Sequence, residues 1–301
     1  MIPFVREIEI EYGRCDVVSP MIRRVTAANP GPFTFKGTGT YIVGRGEVAI
    51  LDPGPELDDH LAAILAAVAG ERVSHILITH HHADHSPLAR ALSAATGAPV
   101  LGCAVAAGEP GAAPAREDEV KTEAGSDVFV PDISLCGGGV VEGAGWTLEA
   151  IPTPGHTSNH LCYALQEENA LFSGDHIMGW STTVITPPDG DMGDYFRSLD
   201  LIRARGFSTL WPTHGPPITQ VTPFIDAYIA HRRERERQVL AALAGGPARI
   251  ADMVPGLYAQ VDKGLWPAAA RSVHAHLIEL VRRGEARSEG PAALDAIYAL
   301  S

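Results

Sequence analysis

Residues Thr79-His80-His81-His82-Ala83-Asp84-His85 put four candidate metal ligands, His80, His82, Asp84 and His85, within six positions. Imidazole and carboxylate groups together suit Zn2+ and ions like it. A polar turn with surface histidines is the plain alternative. Three further loops weigh against it: Pro154-Gly155-His156-Thr157, Ser173-Gly174-Asp175-His176 and Pro212-Thr213-His214-Gly215-Pro216. Each follows an apolar run and carries a His or Asp beside a glycine. Any one alone reads as a capped turn, but in this order after the His-rich segment they form a specific metal-binding pattern.

The elements that must position these loops can be read from periodicity. β-Branched and apolar alternation predicts strands at 4–11 and at 40–51, the second folded as a hairpin around Gly44-Arg45-Gly46. Apolar residues at helical spacing predict a helix over 57–70, and Ser86-Pro87 opens another that runs to Thr96. Between them VSHILI is a short buried strand, which sets the His-rich loop at a strand's C-terminal end. Further strands are expected at 147–151, 161–165, 170–173 and 208–211, with a helix over 194–205. Residues 105–139, rich in Gly, Ala, Pro and acids, read as an irregular excursion. From Thr222 onward three helices and a small hairpin describe a winged-helix module. Its RRERERQ run alternates in sign, the pattern of a solvated helix face, and is given no role.

The 301 residues accommodate one large domain and a small appendage, and 46% hydrophobic residues support a sizeable core. No stretch approaches the ~18 apolar residues a membrane helix needs. Acidic residues near the N-terminus replace the basic segment of an export signal, so a soluble, cytoplasmic protein is expected. Cys15, Cys103, Cys136 and Cys162 are far apart and read as reduced core residues. A net charge of −13 disfavours generic nucleic-acid binding. That acidity belongs to the first 221 residues: from Thr222 there are 10 Lys/Arg against 9 Asp/Glu, leaving 13 against 27 before it.

The order H-x-H-x-D-H, G-H-T, G-D and a late His resembles the metallo-β-lactamase-fold hydrolases over about residues 16–221. SPMIRRVTAANPGPFTFKGTGTYIVG, DHIMGWSTTVITPPDGDMGDY and the C-terminal winged helix are similar to the β-lactamase-like protein 2 group. The resemblance implies an α/β four-layer fold, an αββα sandwich over 1–221 with a winged helix over 222–301. It implies one metal on His80, His82 and His156, a second on Asp84, His85 and His214, and Asp175 bridging both. Two divalent cations, zinc by default with Mn2+ or Fe2+ as alternatives, would share a hydroxide of lowered pKa, which Asp84 could also orient. His81, His160 and His176 stay outside this set, His176 being the best placed to orient a ligand. Three positions depart from the pattern: Ser86-Pro87-Leu88 replaces a common Gly-Gly, Gly39 a common Asn, and Asn159 a frequent acid.

The expected activity is hydrolysis of small esters, thioesters or lactones, since an acidic catalytic half ill suits a polyanion. A single-strand-specific endoribonuclease is the alternative. Less favoured are a metal-sensing DNA-binding protein and a β-lactamase, the latter because Asp175 stands where periplasmic lactamases often place a cysteine. A homodimer stays open, and loops 31–38, 105–139 and 178–195 decide the substrate.

Overall fold

The computed structural model describes residues 2–105 and 129–301. One sheet runs in chain order: β1 (Cys15–Val17), β2 (Ile22–Thr26), β3 (Gly39–Arg45), β4 (Glu47–Leu51), β5 (Arg72–Leu77), β6 (Val100–Gly102) and β7 (Ile133–Ser134). The second contains β8 (Gly139–Gly143), β9 (Trp146–Pro152), β10 (Leu161–Leu165), β11 (Ala170–Gly174) and β12 (Thr209–Pro212), ordered β12-β11-β10-β9-β8.

Strand alternation builds the layers, because successive side chains leave a strand on opposite faces. In β3, Tyr41 and Val43 point into the core between the sheets, while Ile42 faces the other way. In β10, Leu161, Tyr163 and Leu165 fill that same core and Cys162 and Ala164 face outward. The outer face of the first sheet is covered by α1 (Asp58–Ala67) and α2 (Leu88–Thr96) through Ile64 and Leu92. The outer face of the second is covered by α3 (Met192–Arg205) and the first half of α4 (Val221–Leu243) through Leu199 and Ile225. The result is the four-layer αββα sandwich.

The far half of α4 leaves this sandwich. Val239 and Leu243 pack instead with α5 (Ile250–Leu257), α6 (Trp266–Arg282) and a three-stranded sheet of β13 (Ala248–Arg249), β14 (Ala286–Ser288) and β15 (Ile297–Leu300). This is the C-terminal winged helix. Arg282 of α6 reaches back 2.7 Å to Asp191, whose side chain also caps α3 by accepting from Asp194 N.

Three expectations are corrected. Residues 4–11 form no strand: Phe4 packs edge-on against Phe224 and Tyr228, and the alternating pattern finds no ladder partner. Cys15 and Cys162 are free, but Cys103 and Cys136 form a disulfide. Parallel pairing of Leu101 with Ile133 and Gly102 with Ser134 brings these cysteines together, and their spacing of 33 residues carries no sign of it. Of the excursion over 105–139, residues 106–128 lie outside the described residues, and the remainder supplies β7 and the start of β8. Among the described residues no helix is long and apolar enough to cross a membrane.

Two buried tyrosines tie the sheets together just upstream of the candidate loops. Tyr163 of β10 donates its hydroxyl to the Ile78 carbonyl at 2.8 Å, and Tyr41 of β3 donates to the Pro212 carbonyl at 2.7 Å. Removing such a hydroxyl leaves a buried carbonyl without its partner, at a cost of about 1–3 kcal/mol. Tyr163→Phe should therefore lower unfolding stability by roughly this amount. Urea denaturation monitored by circular dichroism would show it, and an unchanged midpoint would refute the role given to this contact.

Candidate metal centre

The candidate loops all leave C-terminal strand ends that share one edge of the sandwich. The His80–His85 loop follows β5, His156 follows β9, Asp175 follows β11 and His214 follows β12. Two glycines make the crowding possible. Gly155 has φ +139, and a Cβ there would lie 2.4 Å from the Tyr195 Cα, so α3 rests directly on the backbone beside His156. Gly174 has φ +52, and its Cβ would meet His160 Nε2 at 2.6 Å.

All seven sequence-predicted residues converge. His80 Nε2 and His156 Nε2 stand 3.0 and 3.2 Å from His82 Nδ1. Asp84 Oδ2 stands 2.9 Å from His214 Nε2 and 3.3 Å from His85 Nε2. Between these triads lies Asp175, its oxygens 3.5 Å from His214 Nε2, 3.6 Å from His85 Nε2 and 3.9 Å from His156 Nε2. A tetrahedral ion with bonds near 2.0–2.1 Å sets its ligand nitrogens roughly 3.3 Å apart. The observed spacings match that. His80, His82 and His156 could hold one cation, Asp84, His85 and His214 another, and Asp175 touches both groups. Among the described residues His85 Nε2, His214 Nε2 and Asp175 Oδ1 are buried with no hydrogen-bond partner, which is costly for polar atoms unless a cation takes their lone pairs.

The far side of four of the five rings is pinned. His156 Nδ1 donates to the Val184 carbonyl at 2.7 Å and His214 Nδ1 to the Gly37 carbonyl at 3.2 Å. His80 Nδ1 lies 3.0 Å from Thr79 Oγ1, whose own proton goes to Asp52. His85 Nδ1 donates to Asp52 Oδ2 at 2.8 Å. In each case the Nδ1 contact turns Nε2 toward the centre, where its lone pair can take a cation once any proton there is displaced.

Asp52 lies outside the residues that the sequence pattern marks, directly after the strand expected over 40–51. Its Oδ2 accepts from Thr79 Oγ1 and Thr213 Oγ1 as well as from His85, and its Oδ1 accepts from Thr79 N. An acid directly after a buried strand is the available signal in the sequence, and the fold holds it at φ +46. Of the three histidines set outside the ligands, His160 rather than His176 supports the site. His160 Nε2 accepts from Asp175 N at 3.2 Å, whereas the His176 ring packs edge-on against Tyr195. His81 Nδ1 meets Asn159 Oδ1 at 3.0 Å, at the rim.

Electrostatics divides the centre. Burial, together with the neighbouring imidazoles, holds His80 and His82 well below the usual histidine range. Burial also opposes charge on His85 and His214, but the surrounding Asp84 and Asp175 carboxylates outweigh it and raise both, with Asp52 adding to His85. Asp84 and Asp175 are correspondingly lowered despite their burial.

Residues 34–214 match the metallo-beta-lactamase superfamily, and residues 250–293 match the beta-lactamase associated winged helix domain. The chain belongs to the metallo-beta-lactamase superfamily. It is 35% identical over 242 residues to a beta-lactamase-like protein 2 homolog from Caenorhabditis elegans, covering 75% of this chain and 72% of that protein. It is also 35% identical over 230 residues to an atrochrysone carboxyl ACP thioesterase from Aspergillus chevalieri, covering 75% of this chain and 67% of the relative. The crystal structure of a metallo-beta-lactamase family protein from Thermus thermophilus aligns with a TM-score of 0.77 at 25% identity, covering 95% of this chain and 100% of that one. The chain is thus a metallo-beta-lactamase superfamily hydrolase with an appended winged helix.

In this superfamily member, Asp52→Asn turns an oxygen that faces three donors into a poorer acceptor or a fourth donor, and should weaken metal binding by about 10–100-fold. Competition with a chromophoric chelator measures this, and unchanged affinity would remove Asp52 from the site. His85 and His214, raised above the usual histidine value, hold protons near neutrality that a cation must displace. Metal affinity should therefore increase as pH rises from about 6 to about 8, with proton release in a weakly buffered titration. A flat profile would contradict the assignment of these two rings.

Proposed function

We propose that this chain is a binuclear metal-dependent hydrolase acting on small acyl substrates, thioesters above esters and lactones. Zinc is the proposed ion, with Mn2+ and Fe2+ as the alternatives to test. The observation that carries the reading is the convergence of the seven side chains at one end of a cavity of about 330 Å3, which His156 and Asp175 line. Similarity to the fungal thioesterase supports the acyl substrate class.

Cations held there would polarise a scissile carbonyl and activate a water molecule for attack. The chain's own residues do the rest. Asp84 faces His214 and His85 through Oδ2, which leaves Oδ1 to accept a hydrogen bond from the attacking water and aim it. Phe33, Met178, Trp180 and Val184 line the cavity and would hold an acyl chain while keeping bulk water out. The metal end offers no free acid among the described lining residues besides the proposed ligands. That suits a thiolate leaving group, whose conjugate acid has a pKa near 8.5, better than an alkoxide that must be protonated as it departs.

Zinc-loaded protein should hydrolyse short acyl thioesters in a panel of thioesters, esters and lactones, and Asp84→Asn should lower kcat/KM by about 100-fold or more. Failure to turn over any thioester, or an unimpaired Asp84→Asn protein, would refute the reading. Labelled single-stranded RNA belongs in the same experiment: cleavage abolished by Asp84→Asn would favour the ribonuclease instead.

A further inference from the structure

The cavity does not end at the metal centre. Its far wall is built by the winged helix, through Tyr258, Leu265 and Ala269, and by the N-terminal segment through Phe4 and Arg6. Across this wall stand three guanidinium groups, Arg6, Arg232 and Arg235. None of the three pairs with a carboxylate among the described residues, whereas most of their arginine neighbours do: Arg233, Arg237, Arg282 and Arg283 each face an acid. Asp175 is the one acidic residue in the described lining, and it belongs to the metal centre.

Arg232 is the decisive residue. It is 3% exposed, it lines the cavity, and its Nε has no hydrogen-bond partner among the described residues. A buried guanidinium that lacks an anion is costly unless a ligand supplies one. It is also close to the chemistry. Its Nη2 donates to the Thr183 carbonyl, and Thr183 Oγ1 donates at 2.7 Å to the carbonyl of Asp175. Arg235 lines the cavity from the other side: its guanidinium sits 4.1 Å over the Tyr258 ring, and its Nη1 donates to the Leu257 carbonyl and to Gln238 Oε1, each at 2.7 Å. The positive field is felt by His276 behind them, which burial and then Arg232 and Arg235 keep neutral.

We infer that Arg232 and Arg235, with Arg6 at the rim, form an anion subsite that binds an acidic group on the substrate, so that the preferred substrates are anionic acyl thioesters. The apolar walls between the metal centre and these arginines would take the carbon chain, and the winged helix thereby becomes part of the specificity pocket. The acidic group is a carboxylate on the acyl half or a phosphate on the thiol half. Both satisfy guanidinium donors in the same way. The substrate class named here rests on the thioester reading above, but the anion subsite does not.

Four thioesters test this: hexanoyl and adipoyl N-acetylcysteamine, which differ by a terminal carboxylate, and hexanoyl pantetheine with hexanoyl phosphopantetheine, which differ by a phosphate. One anionic member should exceed its neutral partner in kcat/KM by about tenfold or more, chiefly through KM. Whichever pair shows the preference identifies the half of the substrate that enters the cavity. Arg235→Gln should remove the preference and leave the neutral members within about twofold, and Arg235→Lys should restore part of it. Equal rates for both pairs, or an equal loss on charged and neutral substrates in Arg235→Gln, would overturn the subsite. Calorimetry with monomethyl adipate against dimethyl adipate gives a reading independent of turnover. Saturable binding of the anion alone, weakened in Arg235→Gln, would uphold the subsite even if no thioester is hydrolysed, and its absence together with equal rates for both thioester pairs would sink it.

Discussion

The carboxylate of Asp52 accepts hydrogen bonds from four donors at the place where the two sheets meet: Thr79 N, Thr79 Oγ1, His85 Nδ1 and Thr213 Oγ1. Burying a carboxylate is tolerable only when its lone pairs are filled in this way. Because the donors come from the loops after β5 and β12, satisfying one charge fixes the relative position of both loops. It also decides which nitrogen of His85 carries the outer proton and which is left for the centre. The strained backbone at Asp52, with φ +46, is held in place by these same bonds.

The inter-sheet core repeats the principle with neutral groups. Tyr163 and Tyr41 each cross from one sheet to the other and close a hydrogen bond on the last residues before His80 and His214. Packing alone would align the sheets only to within the tolerance of apolar contacts, which are non-directional. The hydroxyl bonds add direction, so the loops start from defined points. The side chains they present are then electrostatically prepared: neutral imidazoles in one triad, and a mixed carboxylate and imidazole group in the other.

α4 extends this order to the C-terminal module. Its first half belongs to the core over the second sheet and its second half to the winged-helix core, so the two parts share one rigid element. Arg232 and Arg235 sit on the stretch between those halves and turn into the cavity. The RRERERQ run is therefore not uniform. Arg237 pairs with Glu234 on a solvated face, but Arg233 pairs with the buried Glu236 over the Phe196 ring, and Arg232 is buried against Thr183 and Tyr195.

Local pattern by itself determined the strands from β3 to β5 and from β9 to β12, the helices that follow them, and the short list of His and Asp residues at strand ends. Those are consequences of period-two and period-3.6 burial and of turn chemistry, which act over a few residues. What only the tertiary structure decided are relations between distant segments. Asp52 meets Thr213 across 161 positions, and Cys103 meets Cys136 because two strands pair in parallel. Residues 4–11 alternate like a strand but form none, with Phe4 packed on α4, and Arg232 faces a cavity because two domains close over it. No short-range periodicity encodes which surfaces will meet. That depends on how the buried faces of whole elements fit together, and it decided which polar side chains ended up facing one another.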